Sequence, residues 1–432
     1  METPQYWRTC AELLAEYSWL CDGKMTEFYT KRMWEHIPQT WQDHFAGYES
    51  VAQLHAMLLD HSLEPSLSST LRSLLERCSQ LSLSRELSSV TVCAQSFDRK
   101  GIKPKKLHEI EQLLKWMHVW CDKYGIDRVV DVGCGLGHLA HVLSETMRCE
   151  IVGIDSNAVL CSHDCVHYVN MSLDSNSEPD FVALVCRKPY RTCVVSLHGC
   201  GDLQPLLIRW FAQHCGENWP LLVSIGCCYH KMTSVGCARS GAVSFPMSSA
   251  CVEVPYFTKL SACALRLACQ QTKEKWCLQT ESDHQEHTRH LLHRAVVEAI
   301  APDKSLRHSN ERSLAQRSQD IKELCAKLGL SDECRALAVQ HMQRLQPHAY
   351  LVEPFTALQT AVQGVLESLL LNDRRQFLTE HSISVDFVNV FSPSVSPRNV
   401  ALVAAAAHAL NRASFLLVQH VRQNTATVFH QI

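Results

Sequence analysis

The sequence lacks a long hydrophobic run and a strong excess of charge of either sign. No uncharged apolar stretch reaches the roughly 18 residues that mark a membrane-spanning helix, and the richest run, 400–410, contains His408. The first twenty residues carry three glutamates and Arg8 instead of the apolar centre of a secretory signal. We therefore expect an intracellular protein, cytoplasmic or nuclear, that does not act at a membrane.

Charge is nearly balanced over the 432 residues, with 41 lysines and arginines against 44 aspartates and glutamates, a formal net charge of −3. Hydrophobic residues make up 46% of the chain, which is typical of a globular protein and excludes a disordered one. The length predicts two or three structural units. The near-neutral charge argues against extensive nonspecific binding of nucleic acid, but it is compatible with a local basic patch.

Cysteine is abundant. The 22 cysteines are about 5% of the chain, below the roughly 8–10% that marks a disulfide scaffold. In an intracellular protein the thiols are expected to be reduced, so they serve as small hydrophobic side chains, metal ligands or reactive groups.

Four parts are predicted along the chain: a helical N-terminal region (1–100), the main part of an α/β core (101–254), a helical insertion (255–380), and closing strands with a C-terminal tail (381–432). Strands alternate with helices in the second part, which predicts a parallel sheet with helices on both faces. The last two strands are expected to close this sheet as an antiparallel hairpin. The predicted strands are 127–132, 150–155, 166–170, 193–197, 221–225, 384–391 and 399–405.

A glycine-rich turn, Gly133-Cys134-Gly135-Leu136-Gly137, joins the first predicted strand to a helix predicted over 138–147. Glycine allows a ligand to approach the backbone closely, and the helix start offers free N–H groups. Asp155 ends the next strand, where an acid can accept hydrogen bonds from both hydroxyls of a ribose. This pattern predicts a nucleotide-type site, with an ordinary strand–turn–helix as the alternative.

The spacing of the glycines narrows the type of nucleotide. Position six of a G-x-G-x-x-G motif is His138 when counted from Gly133 and Ala140 when counted from Gly135, so only a dinucleotide motif that ends in alanine fits. No G-x-x-x-x-G-K-[ST] motif follows, which excludes a P-loop. The tighter pattern, preceded by Asp131, resembles motif I of class I S-adenosylmethionine methyltransferases. The predicted cofactor-binding residues therefore include Asp131, Gly133, Gly135, Gly137 and Asp155.

Two clusters of cysteine and histidine follow the fourth and fifth predicted strands. They are His198-Gly199-Cys200-Gly201-Asp202 and Cys227-Cys228-Tyr229-His230. Ligands bind at the carboxyl ends of strands in an open parallel sheet, so both clusters are expected beside the glycine turn.

Histidine and aspartate in such loops suit a general base or a group that orients a nucleophile. We predict His198, Asp202, Cys227, Cys228 and His230 as catalytic residues. The alternatives are tight packing of the cysteines beneath the cofactor, or zinc binding by these cysteines and His230. Adjacent cysteines do not match the usual C-x₂₋₄-C spacing, so we predict no metal site.

Two other polar segments are ambiguous. His284, His287, His290 and His293 recur every three residues, and this step drifts about 60° around a helix, so they cannot share one metal. A solvated or partly buried helix is predicted there. The segment Lys105-Lys106-Leu107-His108-Glu109 is either a contact for an anionic substrate or a solvated helix start.

Several stretches together resemble the methyltransferase-like protein 25 family, in particular its 25B branch, also called ribosomal RNA adenine dimethylase domain-containing protein. They cover most of the chain. They include Phe28-Tyr29 and Trp34, the segment 105–109, the glycine turn, both Cys/His clusters, 365–369, Asp373-Arg374, Phe391-Ser392-Pro393 and Ser396-Pro397-Arg398-Asn399.

The resemblance implies an S-adenosyl-L-methionine-dependent methyltransferase with a mostly parallel, seven-stranded Rossmann-like core. Asn170, after the third strand, is assigned to the adenine contact. RNA is the acceptor class that the branch name suggests, although the Asn/Asp-Pro-Pro/Leu-Tyr loop of adenine N6 methylation is replaced here by 198–202. The cysteine and histidine pairing is also similar to a family of tRNA 2′-O-methyltransferases. A cofactor-binding pseudoenzyme that acts as an interaction scaffold is the alternative.

Overall fold

The computed structural model describes residues 3–59, 66–90, 101–157, 165–233, 243–302 and 309–407. Residues 408–432 of the predicted C-terminal tail lie outside this part. Within the described ranges, none of the helices has the length and apolar character needed to cross a membrane. The strands are β1 Arg128–Val132, β2 Glu150–Asp155, β3 His167–Asn170, β4 Thr192–Gly199, β5 Leu221–Gly226, β6 Ser384–Asn389 and β7 Val400–Ala405.

Helices make up most of the remaining structure. In chain order they are α1 Thr3–Glu16, α2 Ser18–Asp22, α3 Gln39–Ala46, α4 Val51–Leu59, α5 Ser69–Leu81, α6 Pro104–Tyr124, α7 His138–Thr146, α8 Glu178–Val185, α9 Leu203–His214, α10 Ser249–Val252, α11 Ala262–Leu267, α12 Lys273–Trp276, α13 Glu281–Ile300, α14 Ser309–Arg317, α15 Ile321–Lys327, α16 Asp332–Leu345 and α17 Val352–Glu380. Short 3₁₀ helices occupy Met25–Glu27, Met33–His36, Tyr229–Lys231, Phe257–Lys259 and Gln346–Leu351.

The seven strands form one sheet in the order β3-β2-β1-β4-β5-β7-β6. Strands β1 to β5 are parallel, and β7 runs antiparallel to both of its neighbours, β5 and β6. The predicted α/β class I methyltransferase fold, with a mostly parallel sheet closed by an antiparallel pair, is confirmed. Each predicted strand is present, with ends that differ by no more than two residues.

Apolar layers cover both faces of the sheet, which explains why the central strands are apolar runs without alternation. On one face, Leu113 of α6 and Leu143 of α7 pack with Val129 and Val195. On the other face, Phe181 of α8 and Trp210 of α9 belong to a buried cluster with Val130, Val194 and Leu222. All residues of β1, β5 and β7 are buried. The carboxyl ends of the parallel strands are therefore rigid supports for the loops that follow them.

Helix α6 begins one turn earlier than the predicted 107–124. Pro104 lies in its first turn, where a missing N–H has no helical partner to lose. Gly125 ends the helix with a left-handed φ of 60°.

Internal contacts divide the chain into two compact units, one of residues 1–83 with 260–368 and one of 84–259 with 369–432. The first unit is helical throughout its described residues. The second contains the whole sheet. The predicted boundaries near residues 100, 254 and 380 stay predictions, because the division into two compact units does not test whether these segments fold separately.

Candidate functional site

The glycine turn after β1 is held in left-handed backbone conformations. The φ angles of Gly133, Gly135 and Gly137 are 73°, 55° and 70°, a region that other residues rarely adopt. A Cβ on Gly137 would overlap the ring of Tyr168, whereas a Cβ on Gly135 would meet no atom within 4 Å. The turn is therefore packed against the sheet at Gly137 and open to a ligand at Gly135.

Asp155 lies at the end of β2 and holds the turn. Its Oδ2 accepts a hydrogen bond from the backbone N–H of Gly135 at 2.9 Å, and its Oδ1 accepts one from Asn157 at 3.0 Å. The structure thus brings together the acid and the turn that the sequence predicted for one site.

A cavity of about 550 Å³ opens at the carboxyl ends of β1, β2 and β4. Gly133 and Asp155 line it on one side, and Cys200 and Asp202 line it on the other. Apolar side chains from the segments after β3 and β4 form part of the wall: Met171, Leu173, Leu203 and Leu206. Polar side chains such as Asp174, Asn176 and Arg209 line the rest, and this mixture of apolar and polar groups suits a nucleoside.

Of the predicted cofactor residues, Gly133 and Asp155 line this cavity, whereas Asp131, Gly135, Gly137 and Asn170 do not. Asp131 is buried within β1, and burial raises its pKa to about 7, while the charge of Lys106 and a backbone hydrogen bond from Ala140 act in the opposite direction. Asn170 pairs in register with Asp155 at the end of β3, and it is the following residue, Met171, that lines the cavity. A direct contact between Asp131 or Asn170 and a cofactor stays a prediction.

Asp202 accepts several hydrogen bonds in this structure. The backbone N–H of Thr233 donates to its Oδ1 at 2.7 Å, the Thr233 hydroxyl donates to Oδ2, and the Ser244 hydroxyl donates to Oδ1 at 2.5 Å. Both of its oxygens are therefore engaged, and this geometry favours a positioning role over that of a free base.

His198 is held by a residue whose role the sequence reading missed. Its Nε2 lies 3.2 Å from Oε2 of Glu109, whose other oxygen accepts a hydrogen bond from Ser396 at 2.7 Å. Burial alone would raise the pKa of Glu109, but the hydrogen bonds from His198 and Ser396 and the charge of Lys105 bring it to about 2. Glu109 is only 2% exposed, so it is not part of a solvated helix start. An acid at the sixth residue of an amphipathic helix, on its apolar face, is the signal that could have revealed it.

The cysteines predicted at the acceptor side come together. The Sγ atoms of Cys200 and Cys227 lie 2.7 Å apart, and Cys228 lies beside them. The hydrogen bond with Cys227 lowers the pKa of Cys200 to about 6. Cys228 and the charges of His198 and Lys231 also lower it, whereas burial acts in the opposite direction. The hydrogen bond with Cys200, burial and the neighbouring Cys228 raise the pKa of Cys227. His230, in the 3₁₀ helix at Tyr229–Lys231, is half-buried. Among the residues that the structure describes, the group of possible metal ligands here consists of Cys200, Cys227 and Cys228 and does not include His230.

A buried polar network supports the loop after β5. Gln204 donates from Nε2 to the carbonyl of Ser224 at 3.1 Å, and its Oε1 accepts a hydrogen bond from Arg374 of α17. The Arg374 guanidinium lies over the ring of Tyr229, 4.9 Å from its centre. The sequence analysis gave Arg374 no role, although an Asp-Arg pair after the leucines 369–371 is a signal of buried polar contacts.

The histidine series of α13 forms a local network. Nδ1 of His284 lies 2.7 Å from one oxygen of Glu353, and Nδ1 of His287 lies 2.6 Å from the other. His290 contacts the carbonyl of Gln316, and His293 is buried. The four histidines therefore do not converge on one point, and the helix is partly buried.

Comparison with known proteins places this site in a family context. The family described as "Methyltransferase domain" matches residues 105–235, which include α6, the glycine turn and both Cys/His clusters. Residues 105–235 are therefore similar to a methyltransferase domain. This domain implies S-adenosyl-L-methionine as its cofactor. The open backbone at Gly135, the carboxylate of Asp155 and the apolar wall fit that cofactor.

The relatives of this methyltransferase domain agree with the resemblance predicted from the sequence. The mouse (Mus musculus) protein described as "Probable methyltransferase-like protein 25" is 27% identical over 233 residues, 49% of this chain and 37% of that protein. Its human counterpart is 27% identical over 232 residues, with 49% and 36% covered. The matched region is thus less than two thirds of either relative. The ribosomal RNA adenine detail stays a prediction.

Among solved structures, coclaurine N-methyltransferase bound to N-methylheliamine and SAH aligns with 92% of this chain and 98% of its own. The TM-score is 0.21 and the identity 9%. The assignment of the fold therefore depends on the strand order and the family match.

Proposed function

We propose that this chain is an S-adenosylmethionine-dependent methyltransferase that acts on RNA. One observation carries the proposal: the cavity between the glycine turn and Asp155 on one side and Cys200 and Asp202 on the other. When bound, the cofactor supplies an electrophilic methyl group. Within the chain, Asp155 would accept hydrogen bonds from the ribose, and Met171 and Leu173 would cover the apolar faces of the base.

His198 is the residue that we assign to the acceptor's proton. Its side chain is 36% exposed, so a substrate can reach it, while the buried carboxylate of Glu109 fixes its ring. A histidine oriented by an ionised carboxylate is an arrangement that takes a proton from a hydroxyl or an amine. The chain's part in the reaction is then to align the acceptor and to remove its proton.

RNA as the acceptor class follows from the predicted resemblance and from the cations beside His198. Lys105 has its Nζ 3.6 Å from Oε1 of Glu109, and Lys231 lies in the 3₁₀ helix that follows Cys227 and Cys228. Lysines next to a site attract phosphates without selecting a sequence. The overall charge of −3 restricts such attraction to a local patch.

The experiment has two stages. Isothermal titration with S-adenosylmethionine and S-adenosylhomocysteine should show one site on the purified chain. Transfer of a tritiated methyl group is then measured on fractionated RNA and on protein from cells that lack this protein. Absence of cofactor binding would refute the methyltransferase proposal. Label in protein alone would refute RNA as the acceptor, and binding with label in neither fraction would favour the scaffold alternative.

A further inference from the structure

Three cysteine sulfurs converge beside the cofactor cavity. The Sγ atoms of Cys200, Cys227 and Cys228 all lie within 4.8 Å of one another, and those of Cys227 and Cys228 are 3.7 Å apart. Two of the cysteines are half-buried and Cys227 is buried. Such a group differs from cysteines that fill apolar gaps, because its sulfurs contact one another.

Sheet register explains why these cysteines meet. Gly199 of β4 pairs with Gly226 of β5, so Cys200 and Cys227 are the next residues on two adjacent parallel strands. The chain then turns at Gly201, whose φ is 57° and whose Cβ position would lie 3.0 Å from the carbonyl oxygen of Lys231. The glycine lets the two loops approach closely enough for the sulfurs to touch.

This arrangement answers the objection raised by sequence spacing for one ligand of the three. The C-x₂₋₄-C rule applies to ligands from one loop, whereas Cys200 follows β4 and meets the adjacent pair Cys227 and Cys228 that follows β5. Zinc–sulfur bonds are about 2.3 Å, so tetrahedral geometry places two sulfurs on one zinc ion about 3.8 Å apart. The Cys227–Cys228 separation of 3.7 Å matches this distance, and the Cys200–Cys227 separation of 2.7 Å would have to widen by about 1 Å when the ion binds.

We propose that Cys200, Cys227 and Cys228 bind one Zn²⁺ ion, with the fourth position open toward the cavity that Cys200 lines. Three protein ligands with one open position are the pattern of catalytic zinc sites, whereas structural sites have four. On binding, each thiol loses its proton to solvent and each sulfur donates an electron pair to the ion. Lys231, in the 3₁₀ helix that directly follows Cys228, offsets the negative charge that the three thiolates leave on the site.

The site goes beyond methyl transfer and is tested without a methyl donor. The full-length chain is purified without a metal-binding tag, reduced with a phosphine, and equilibrated with buffered Zn²⁺. We expect about one equivalent of zinc by mass spectrometry of the metal. Replacement by Co²⁺ should give the near-ultraviolet charge-transfer band of thiolate–cobalt bonds, with an intensity appropriate to three thiolates.

Variants locate the ion. Cys200→Ser and Cys228→Ser should each weaken zinc binding by about 100-fold or more, because loss of even a group that only orients a ligand costs about 10–100-fold. Cys215→Ser, which changes the half-buried cysteine after α9, should bind zinc as the wild type does. Circular dichroism of each variant confirms that it is folded.

Three results would overturn the proposal. The first is fully reduced wild-type protein that holds no more zinc than the Cys200→Ser variant. The second is a cobalt spectrum of the wild type without a thiolate band, a result that does not depend on any variant. The third is a disulfide between Cys200 and Cys227 in protein isolated without air, found by mass spectrometry after alkylation of free thiols.

Discussion

The imidazole of His198 is bound at Nε2 by the buried carboxylate of Glu109, at 3.2 Å. His198 lies at the carboxyl end of β4, and Glu109 lies in the second turn of α6. The two residues are 89 positions apart in the sequence. The carboxylate is shielded from water, and the histidine is not. This pairing leaves the imidazole of His198 accessible to solvent, and the buried carboxylate of Glu109 fixes the orientation of the ring.

Substitution of His198 tests its role as the proton acceptor. His198→Ala should lower kcat for methyl transfer by about 10²–10⁴-fold, the usual contribution of a general base, and leave the Kd for S-adenosylmethionine within about twofold. Glu109→Gln should lower kcat by a smaller factor. The control is His214→Ala, because His214 forms a similar pair with Glu178 and is 35% exposed. Equal losses in His198→Ala and His214→Ala would exclude a specific role.

Glu109 should also make stability depend on pH. Its folded pKa of about 2 lies below the usual value, so its ionised form stabilises the fold above the pKa of the unfolded chain. That contribution is lost as the pH falls from about 4.5 toward 2. Urea unfolding of the wild type and of Glu109→Gln should differ most near pH 6, and the difference should shrink below about pH 4.5 and vanish only as the pH approaches 2. A difference that is constant with pH would contradict this assignment.

Asp155 should control cofactor affinity. Asp155→Ala removes an acceptor for the ribose and for the N–H of Gly135, and hydrogen bonds to charged groups contribute about 1.5–3 kcal/mol each. We expect the Kd for S-adenosylhomocysteine to rise by about 10–100-fold in isothermal titration. Asp180→Ala, at an exposed position of α8, is the control. An unchanged Kd in Asp155→Ala would place the cofactor elsewhere.

Two adjacent arginines of α17 should differ sharply in their effect on stability. Arg374→Ala removes a fully buried side chain and leaves Gln204 without its partner, so it should cost about 2–5 kcal/mol of unfolding free energy. Arg375 is exposed over the ring of Phe387, and Arg375→Ala should cost about 1 kcal/mol or less. Chemical denaturation measures both, and similar losses would contradict the assigned network.

The sequence predicts most of the core because buried parallel strands are apolar runs between helices, as in β1 and β5. Glycine spacing and the acid at the end of β2 likewise predict one end of the cavity. The remaining contacts depend on which strands become neighbours. Cys200 meets Cys227 through the register of β4 with β5, and Glu109 meets His198 through the packing of α6. Neither separation along the chain carries a signal of its own.

Strand β7 lies inside the sheet, between β5 and β6, although its residues come last among the strands in the sequence. During synthesis, the edge of β5 that β7 will cover therefore remains unpaired until residues 400–405 have left the ribosome, although every residue of β5 is buried in the finished fold. An open edge of this kind pairs readily with other chains, so we expect the nascent protein to be prone to aggregation over this interval. A nonsense codon before residue 400 would make that exposure permanent, and the truncated product should be found in aggregates.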